Sequence, residues 1–548
     1  MLVSYSCYKV YVSVDKGSRV VDKYLHCRKI YDMNLKRNRV FSTMFACVFT
    51  LAAIIIPTGF AQTPATTSTN ESSSAKNTEI QQYMNLMDSV FGFVIQNYVD
   101  EVDPNILYEG ALKGMLEAFG DPHTMYLDKS YMRDLNDTTQ GEFGGVGLSI
   151  VKPTTSTAEK PAYVEVKSPI EDTPGWKAGI QPGDYITEID GTPTPEITME
   201  EVLDKLRGQP GTKVSIRIKR GKKMEFPVTL TRAMIENPTV KYGMIKESSR
   251  KTAYLRIIEF STKTGERVQE ALDYFATQNY DSLLIDLRNN PGGLITSVAD
   301  VADKFIDSGV IVTTKSRLDF ENSVFTAHKS KTTVPSNIPV IVLINGGSAS
   351  ASEILSGCLK DHKRAFLAGE ISYGKGSVQQ VIPLPNNDGI KLTMARYYTP
   401  SDANIDKTGI IPDFELKFPE LNDAEENAYV SLAEADVISP YVESHQNMTE
   451  SDIASYALEL KKTYNLEPRL LRRLIRLEVM RTKGSLLYDY DFDVQIQKVL
   501  PFFDSPNYTE QLQNVKTVLT MQKEASEQNE MLSDSNEENL NTDSVLNK

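Results

Sequence analysis

A chain of 548 residues exceeds what one hydrophobic core normally organises, and with 40% apolar and 24% charged residues it has ordinary globular usage, so two or more domains are expected. Its 59 Lys+Arg against 73 Asp+Glu give a net charge of −14, and because residues 1–61 are basic the remainder is more acidic still. That balance argues against nucleic acid as the main partner and otherwise speaks to solubility, not chemistry.

The segment Met33–Ala61 has a basic start (Lys36, Arg37, Arg39), an apolar stretch from Phe41 to Pro57, and the small residues Gly59 and Ala61 before Gln62, the layout of a secretory signal peptide. The apolar stretch is slightly long for that role, so an uncleaved membrane anchor through 41–57 is the alternative; both readings place the body in an exported, periplasmic setting. The residues ahead of Met33 have no place in a signal peptide, which makes Met33 a rival to Met1 as the start. Removal of residues 1–61 takes Cys7, Cys27 and Cys47 with it and leaves Cys358, so an internal disulfide is not expected. Cys358 sits among Ile354, Leu355 and Leu359 and reads as a buried structural thiol.

Residues 62–78 are Ser/Thr-rich and aperiodic and read as a linker. From 79 to 140 a helical N-terminal element is predicted, with Met84, Met87, Phe91, Val94 and Tyr98 at helical spacing, then Leu107, Ala111 and Met115 leading into Asp121-Pro122-His123-Thr124. Residues 141–232 read as a compact sheet of short strands (Tyr163–Lys167, Asp184–Ile189, Val214–Ile218, Phe226–Leu230), with a capping box at Thr198-Met199-Glu200-Glu201 opening a helix. From 233 to 420 strands and helices alternate, which implies an α/β core. Residues 421–522 are helix-rich, and the tail from 523 to 548 is too polar and acidic to fold alone.

Three constellations carry chemistry. Gly144-Gly145-Val146-Gly147-Leu148 before a strand, followed by Ala178-Gly179-Ile180-Gln181-Pro182-Gly183-Asp184 and Ile189-Asp190-Gly191, resembles a PDZ domain of the bacterial protease type. Gly145, Val146, Gly147 and Leu148 would turn backbone N–H groups onto a terminal carboxylate while the strand edge pairs with the rest of the tail; the plain alternative is a β-turn that binds nothing. Asn345-Gly346-Gly347-Ser348-Ala349-Ser350-Ala351-Ser352-Glu353 joins a buried strand to a helix. A serine there sits where helix N–H groups favour developing negative charge, although the same residues could merely cap the helix. Gly374-Lys375-Gly376-Ser377-Val378-Gln379 places a lysine between glycines. At its reference pKa such a lysine is only about 0.04% neutral at pH 7, whereas burial that lowers the pKa to roughly 8 makes about a tenth of it a usable base at a cost of about 3 kcal/mol. A solvated loop lysine is the competing reading.

Taken together with Asn289-Asn290-Pro291-Gly292-Gly293, Arg207-Gly208-Gln209-Pro210-Gly211-Thr212 and Gly409-Ile410-Ile411-Pro412-Asp413, the chain from about 83 to 415 resembles the carboxyl-terminal processing peptidases. The resemblance implies an α/β multidomain protein with a crotonase-like protease core and serine endopeptidase activity. It further implies Ser350 as nucleophile, Lys375 as general base, Gln379 as its orienter, and an oxyanion hole from the amides of Ala351 and of Gly292 or Gly293. Arg207 becomes the candidate relay between tail binding and the active site, a surface salt bridge being its alternative. The implied partners are protein or peptide substrates with free apolar C-termini; no cofactor or metal is implied, and no HExxH or CxxC spacing occurs. The apolar stripes of the flanking helices are compatible with a homo-oligomer. His123, His328, His362 and His445 lack the context of a Ser-His-Asp triad, and a non-catalytic tail-binding or chaperone-like protein is the alternative from another class.

Overall fold

The computed structural model describes residues 70–153, 156–157, 161–170, 173–181, 183–221, 224–445, 447–480 and 486–528. The leader with its 41–57 apolar stretch, Cys7, Cys27, Cys47, the first part of the 62–78 linker, and 529–548 of the acidic tail lie outside the described residues. No described helix is long and apolar enough to cross a membrane. The chain is a multidomain α/β protein. It divides into two units, one holding the described residues up to Leu127 with Val381–Leu392, the other Asp128–Gln380 with Thr393 onward.

The smaller unit begins with a helix at Asn70, inside the segment read as a linker, and this helix runs to Asn97; a second follows at Pro104–Glu117, started by Asp103, whose carboxylate accepts the Asn105 N–H. The strand Met125–Leu127 pairs antiparallel with Gly389–Lys391. The Asp121-Pro122-His123-Thr124 motif is a turn, with Asp121 accepting the His123 N–H at 2.9 Å and the Thr124 hydroxyl at 2.7 Å. Of the stripe Met84, Met87, Phe91, Val94 and Tyr98, Phe91 and Val94 are half-buried and the other three are exposed, and beside it Val90 is open and Phe93 is 67% accessible.

In the larger unit the helix Lys129–Gln140, which sequence reading groups with the N-terminal helices, is followed by a PDZ-type sheet in the order Leu148–Val151, Val164–Pro169, Tyr185–Ile189, Lys213–Arg220, Met224–Thr231. Alternation along these strands sends Val164, Val166, Val214, Ile216 and Ile218 into one core with Val202 and Leu206 of the helix Met199–Leu206, and an irregularity between Ile186 and Glu188 brings both Ile186 and Ile189 into it. The capping box at Thr198 and Glu201 forms as the sequence dictates.

The α/β core is a six-stranded sheet. Val240–Met244 is antiparallel to Thr252–Ile257, and the next four strands, Ser282–Asp286, Val340–Ile344, Phe366–Gly369 and Phe414–Glu415, run parallel to it. The two central strands are buried at every residue, as expected of a parallel sheet covered on both faces. Leu283, Ile285, Val340, Val342 and Ile344 face the helices Thr264–Thr277, Ile295–Asp303 and Ala351–Asp361. Leu284, Ile341 and Leu343 face the opposite way, onto Ile496, Val499, Leu500, Phe503 and Tyr508 of the C-terminal segment. Residues 486–513 thus complete the core, while the helices between Asp423 and Met480 form a cluster of their own around Leu432, Ile453, Leu471 and Ile475. Residues 518–528 are helical.

Candidate active site and tail cleft

Three neighbouring parallel strands end on the same side of the core sheet, and the loops leaving their carboxyl ends carry the three motifs: Asn289–Gly293 after Ser282–Asp286, Asn345–Ser350 after Val340–Ile344, and the Gly374-Lys375-Gly376 segment after Phe366–Gly369. Open α/β sheets characteristically place their sites at this edge. Ser350 is the turn residue between strand and helix, held at φ 54°, a sparsely populated region for a residue with a Cβ that persists only where surroundings enforce it. The enforcement is visible. The hydroxyl of Ser348 donates to the Leu287 carbonyl at 2.8 Å and that of Ser352 to the Asn290 carbonyl at 2.9 Å, while the Ala349 N–H donates to Asn290 at 3.0 Å. Two of the three motif serines are therefore spent on tying the loops together.

Asn290 is fully buried. Its amide group donates to the Ile257 carbonyl and its Oδ1 accepts the Gly292 N–H, both at 2.9 Å. Gly292 sits so close to the serine loop that an added Cβ would lie 2.8 Å from Ser350 Cβ and 2.9 Å from the Ala351 nitrogen. Among the described residues the N–H groups of Gly293 and Ala351 donate to no protein acceptor; Ala351 opens its helix, where intrahelical acceptors are lacking. Of the two candidate glycines, Gly292 has its amide engaged and Gly293 has not.

Glu353, read in the sequence only as part of the motif, is the hub. It has no solvent exposure. Its Oε2 accepts the N–H of Ser350 at 2.8 Å and of Lys375 at 2.9 Å; its Oε1 accepts the Ser372 hydroxyl at 2.5 Å and the Gly374 N–H at 2.7 Å. Burial lifts its carboxyl above the ordinary carboxylate range, against the pull of these donors. Tyr397, from the long strand Gly389–Tyr398, closes the same assembly by donating to the Lys375 carbonyl and standing 3.2 Å from that of Ser350. Gln379 lies on the strand Ser377–Pro383 and gives its amide nitrogen to the hydroxyls of Ser377 (2.9 Å) and Thr393 (3.1 Å). Neither Glu353 nor Tyr397 was assigned from sequence. The only signal for Glu353 was its place three residues after the serine, and for Tyr397 there was none.

The remaining candidates settle into structural roles. Cys358 is buried, and burial pushes its thiol pKa up. The Lys360 ammonium pairs with Asp413 of the Gly409–Asp413 motif. His362 ends the Ala351–Asp361 helix with Nε2 2.7 Å from the Val310 carbonyl, and His445 stacks on Tyr441.

A second cleft lies beside the PDZ-type sheet, lined by Gly145–Leu148, by Leu203 and Leu206, and by Asp134, Asp137 and Arg207. The carbonyls of Val146 and Gly147 accept from Gly175 and Ile170, each at 2.8 Å, so the planar trans peptides turn the N–H groups of Gly147 and Leu148 the other way. The Arg207 side chain is 13% exposed, lies over the Phe143 ring, and pairs with Asp134 at 2.7 Å and Asp137 at 3.0 Å. Burial raises the Asp137 carboxyl despite the opposing pull of Arg207. The neighbouring Arg133 reaches Asp204, so the helix Lys129–Gln140 is pinned to Met199–Leu206 at two points.

A PDZ-type sheet and an α/β core with its loops at one sheet edge define a serine-type protease with a PDZ domain. Residues 251–416 match peptidase family S41, 165–220 a PDZ domain, and 51–131 the N-terminal domain of the activating protease CtpB. The chain is 39% identical over 335 residues to the carboxy-terminal-processing protease of Bartonella bacilliformis, covering 60% of this chain and 74% of that one. It is 36% identical to the carboxyl-terminal-processing protease of Synechocystis (58% and 72% covered), and 32% identical to the carboxy-terminal processing protease CtpB of Bacillus subtilis (66% and 72%). The chain belongs to the carboxyl-terminal processing protease family.

Proposed function

We propose that the protein is an exported Ser-Lys endopeptidase that selects substrates by their free C-terminal tails. The observation that carries the reading is the single carboxylate of Glu353, which takes the amides of both Ser350 and Lys375 and so fixes the two loops against each other. Lys375 Nζ accepts the proton of Ser350 Oγ as that oxygen attacks the substrate carbonyl carbon, and the oxyanion receives the N–H groups of Ala351 and Gly293. Collapse expels the amine, which takes the proton from Lys375 and leaves an acyl-enzyme. The same lysine then deprotonates the water that hydrolyses the ester, and Gln379 orients the lysine without adding charge.

The tail's carboxylate docks on Gly145–Leu148 and its apolar side chains face Leu203 and Leu206. Arg207, bridging this cleft to the helix Lys129–Gln140, relays occupancy towards the core. The leader at 33–61 directs export to the periplasm, cleaved or retained as a tether. The exposed apolar stripe of the first helix is covered by a second copy of the chain.

The test is cleavage of one unfolded protein ending in apolar residues, offered with a free or an amidated C-terminus, by the full chain and by Lys375→Ala. Cutting that needs both the lysine and the free carboxylate supports the whole reading. Cutting indifferent to amidation removes tail selection, and equal cutting by Lys375→Ala removes the Ser-Lys mechanism.

A further inference from the structure

We infer that the C-terminal segment contributes a positioning residue to the reaction: Asp493, acting through Arg288 on the Asn289–Gly293 loop. The inference rests on the Ser350 reading above. Arg288 follows the strand Ser282–Asp286 and immediately precedes the loop. Its nearly buried guanidinium makes four hydrogen bonds and one further close ion-pair contact. Nε donates to Asp286 Oδ1 at 2.9 Å, and Nη2 lies 2.6 Å from Asp286 Oδ2 and 2.7 Å from Asp493 Oδ2. Nη1 donates to Asp493 Oδ1 at 3.0 Å and to Gln495 Oε1 at 2.8 Å. A planar fork held by hydrogen bonds at Nε, Nη1 and Nη2 has little freedom to turn.

Asp286 alone already balances the charge of Arg288, and it is held further by the Tyr254 hydroxyl at 2.6 Å and by the Arg288 N–H at 3.0 Å. A second, buried carboxylate is brought to Arg288 from more than 200 residues away, and with Arg256 also acting on Asp286 the cluster is a charged network whose members fix one another. Asp493 is rigid in turn. It caps the helix Val494–Val499 by accepting the N–H groups of Gln495 (3.1 Å) and Ile496 (3.0 Å), and Gln495 reaches back to the Leu416 carbonyl at 2.5 Å. One peptide beyond Arg288, Asn289 adopts φ 58° and donates its N–H to Asn345 Oδ1 at 2.9 Å; Asn290 then sets Gly292 and Ala349. The stance of Arg288 is thereby passed to both walls of the oxyanion site.

The experiment compares full-length wild type with Asp493→Asn and Asp493→Ser, which keep a helix-capping oxygen, and uses Ser350→Ala as the reference. Three quantities are measured: kcat and KM on an unfolded protein, the rate of fluorophosphonate labelling, and the urea midpoint. A small misplacement of reacting groups predicts that kcat and the labelling rate fall together by about 10- to 100-fold in both variants while KM is unchanged. Rates per folded molecule within twofold of wild type, or a loss confined to KM, overturn the inference. Cleavage by Ser350→Ala equal to wild type would instead overturn the nucleophile assignment on which it rests.

Discussion

Lys375 donates its backbone N–H to Glu353 Oε2 at 2.9 Å, onto the oxygen that also accepts the N–H of Ser350. Oε1 meanwhile takes Ser372 and Gly374. A Glu353→Gln amide has an acceptor on only one side, so whichever way it turns, two buried donors lose their partner at about 1–3 kcal/mol each. The variant should show a lowered urea midpoint and a loss of kcat greater than any change in KM. A midpoint equal to wild type at neutral pH would show that the carboxylate is not the hub.

The same carboxyl gives a pH signature. Burial raises its pKa in the folded chain above the ordinary 4.5, so folding favours the protonated form. Its contribution to stability is present below the unfolded value and is lost as pH rises through the folded one. The stability of wild type minus that of Glu353→Gln, which cannot ionise, should therefore fall as pH is raised from 4.5 across the window just above it. Urea titrations along that series check the sign, and a difference that grows with pH would refute it.

Gly292 is at φ 102° with the serine loop against its open face. Gly292→Ala should cut kcat by about 10²- to 10³-fold, the usual consequence of spoiling one oxyanion donor, through displacement of Ala351 and Ser350. Tail binding to the PDZ cleft should be untouched, as measured by fluorescence anisotropy of a labelled C-terminal peptide. Retained kcat would place the oxyanion elsewhere.

Arg207 pairs with Asp134 and Asp137 in the cleft beside the PDZ-type sheet. Arg207→Ala should abolish the advantage of a free over an amidated tail while leaving slow cleavage of short tail-less peptides unchanged. Because a lysine cannot span both carboxylates with a planar fork, Arg207→Lys should recover only part of that advantage. An unaltered free-to-amidated ratio in Arg207→Ala would reduce Arg207 to a structural pair.

The first helix leaves Met87, Val90 and Phe93 open to solvent, an arrangement at odds with an isolated element. Sedimentation of the full chain should give a dimer, and Val90→Asp with Phe93→Glu a monomer. A wild-type monomer at micromolar concentration would remove the second copy from the account.

The strand Val340–Ile344 was legible because a strand covered on both faces is an unbroken apolar run, Ser282–Asp286 because of its apolar centre Leu283–Ile285, and the Thr198 cap because its four residues suffice to form it. The exposure of the first helix was not, since an apolar stripe reads the same whether it faces a core or a second chain. Tyr397 acquires its role through pairing of its strand with residues 313–316, and Asp493 through contact with a residue more than 200 positions earlier; neither depends on local pattern. Asp286 and Arg288 were the one missed signal, a charge pair at the end of an otherwise apolar strand that burial obliges to find partners.

The most direct test of the Ser350–Lys375 assignment is the site of covalent capture. Full-length protein treated with a fluorophosphonate and digested for mass spectrometry should carry one adduct, on the peptide containing Ser350, and Lys375→Ala should carry almost none. An adduct on another serine, or peptide cleavage that survives Ser350→Ala, would contradict it.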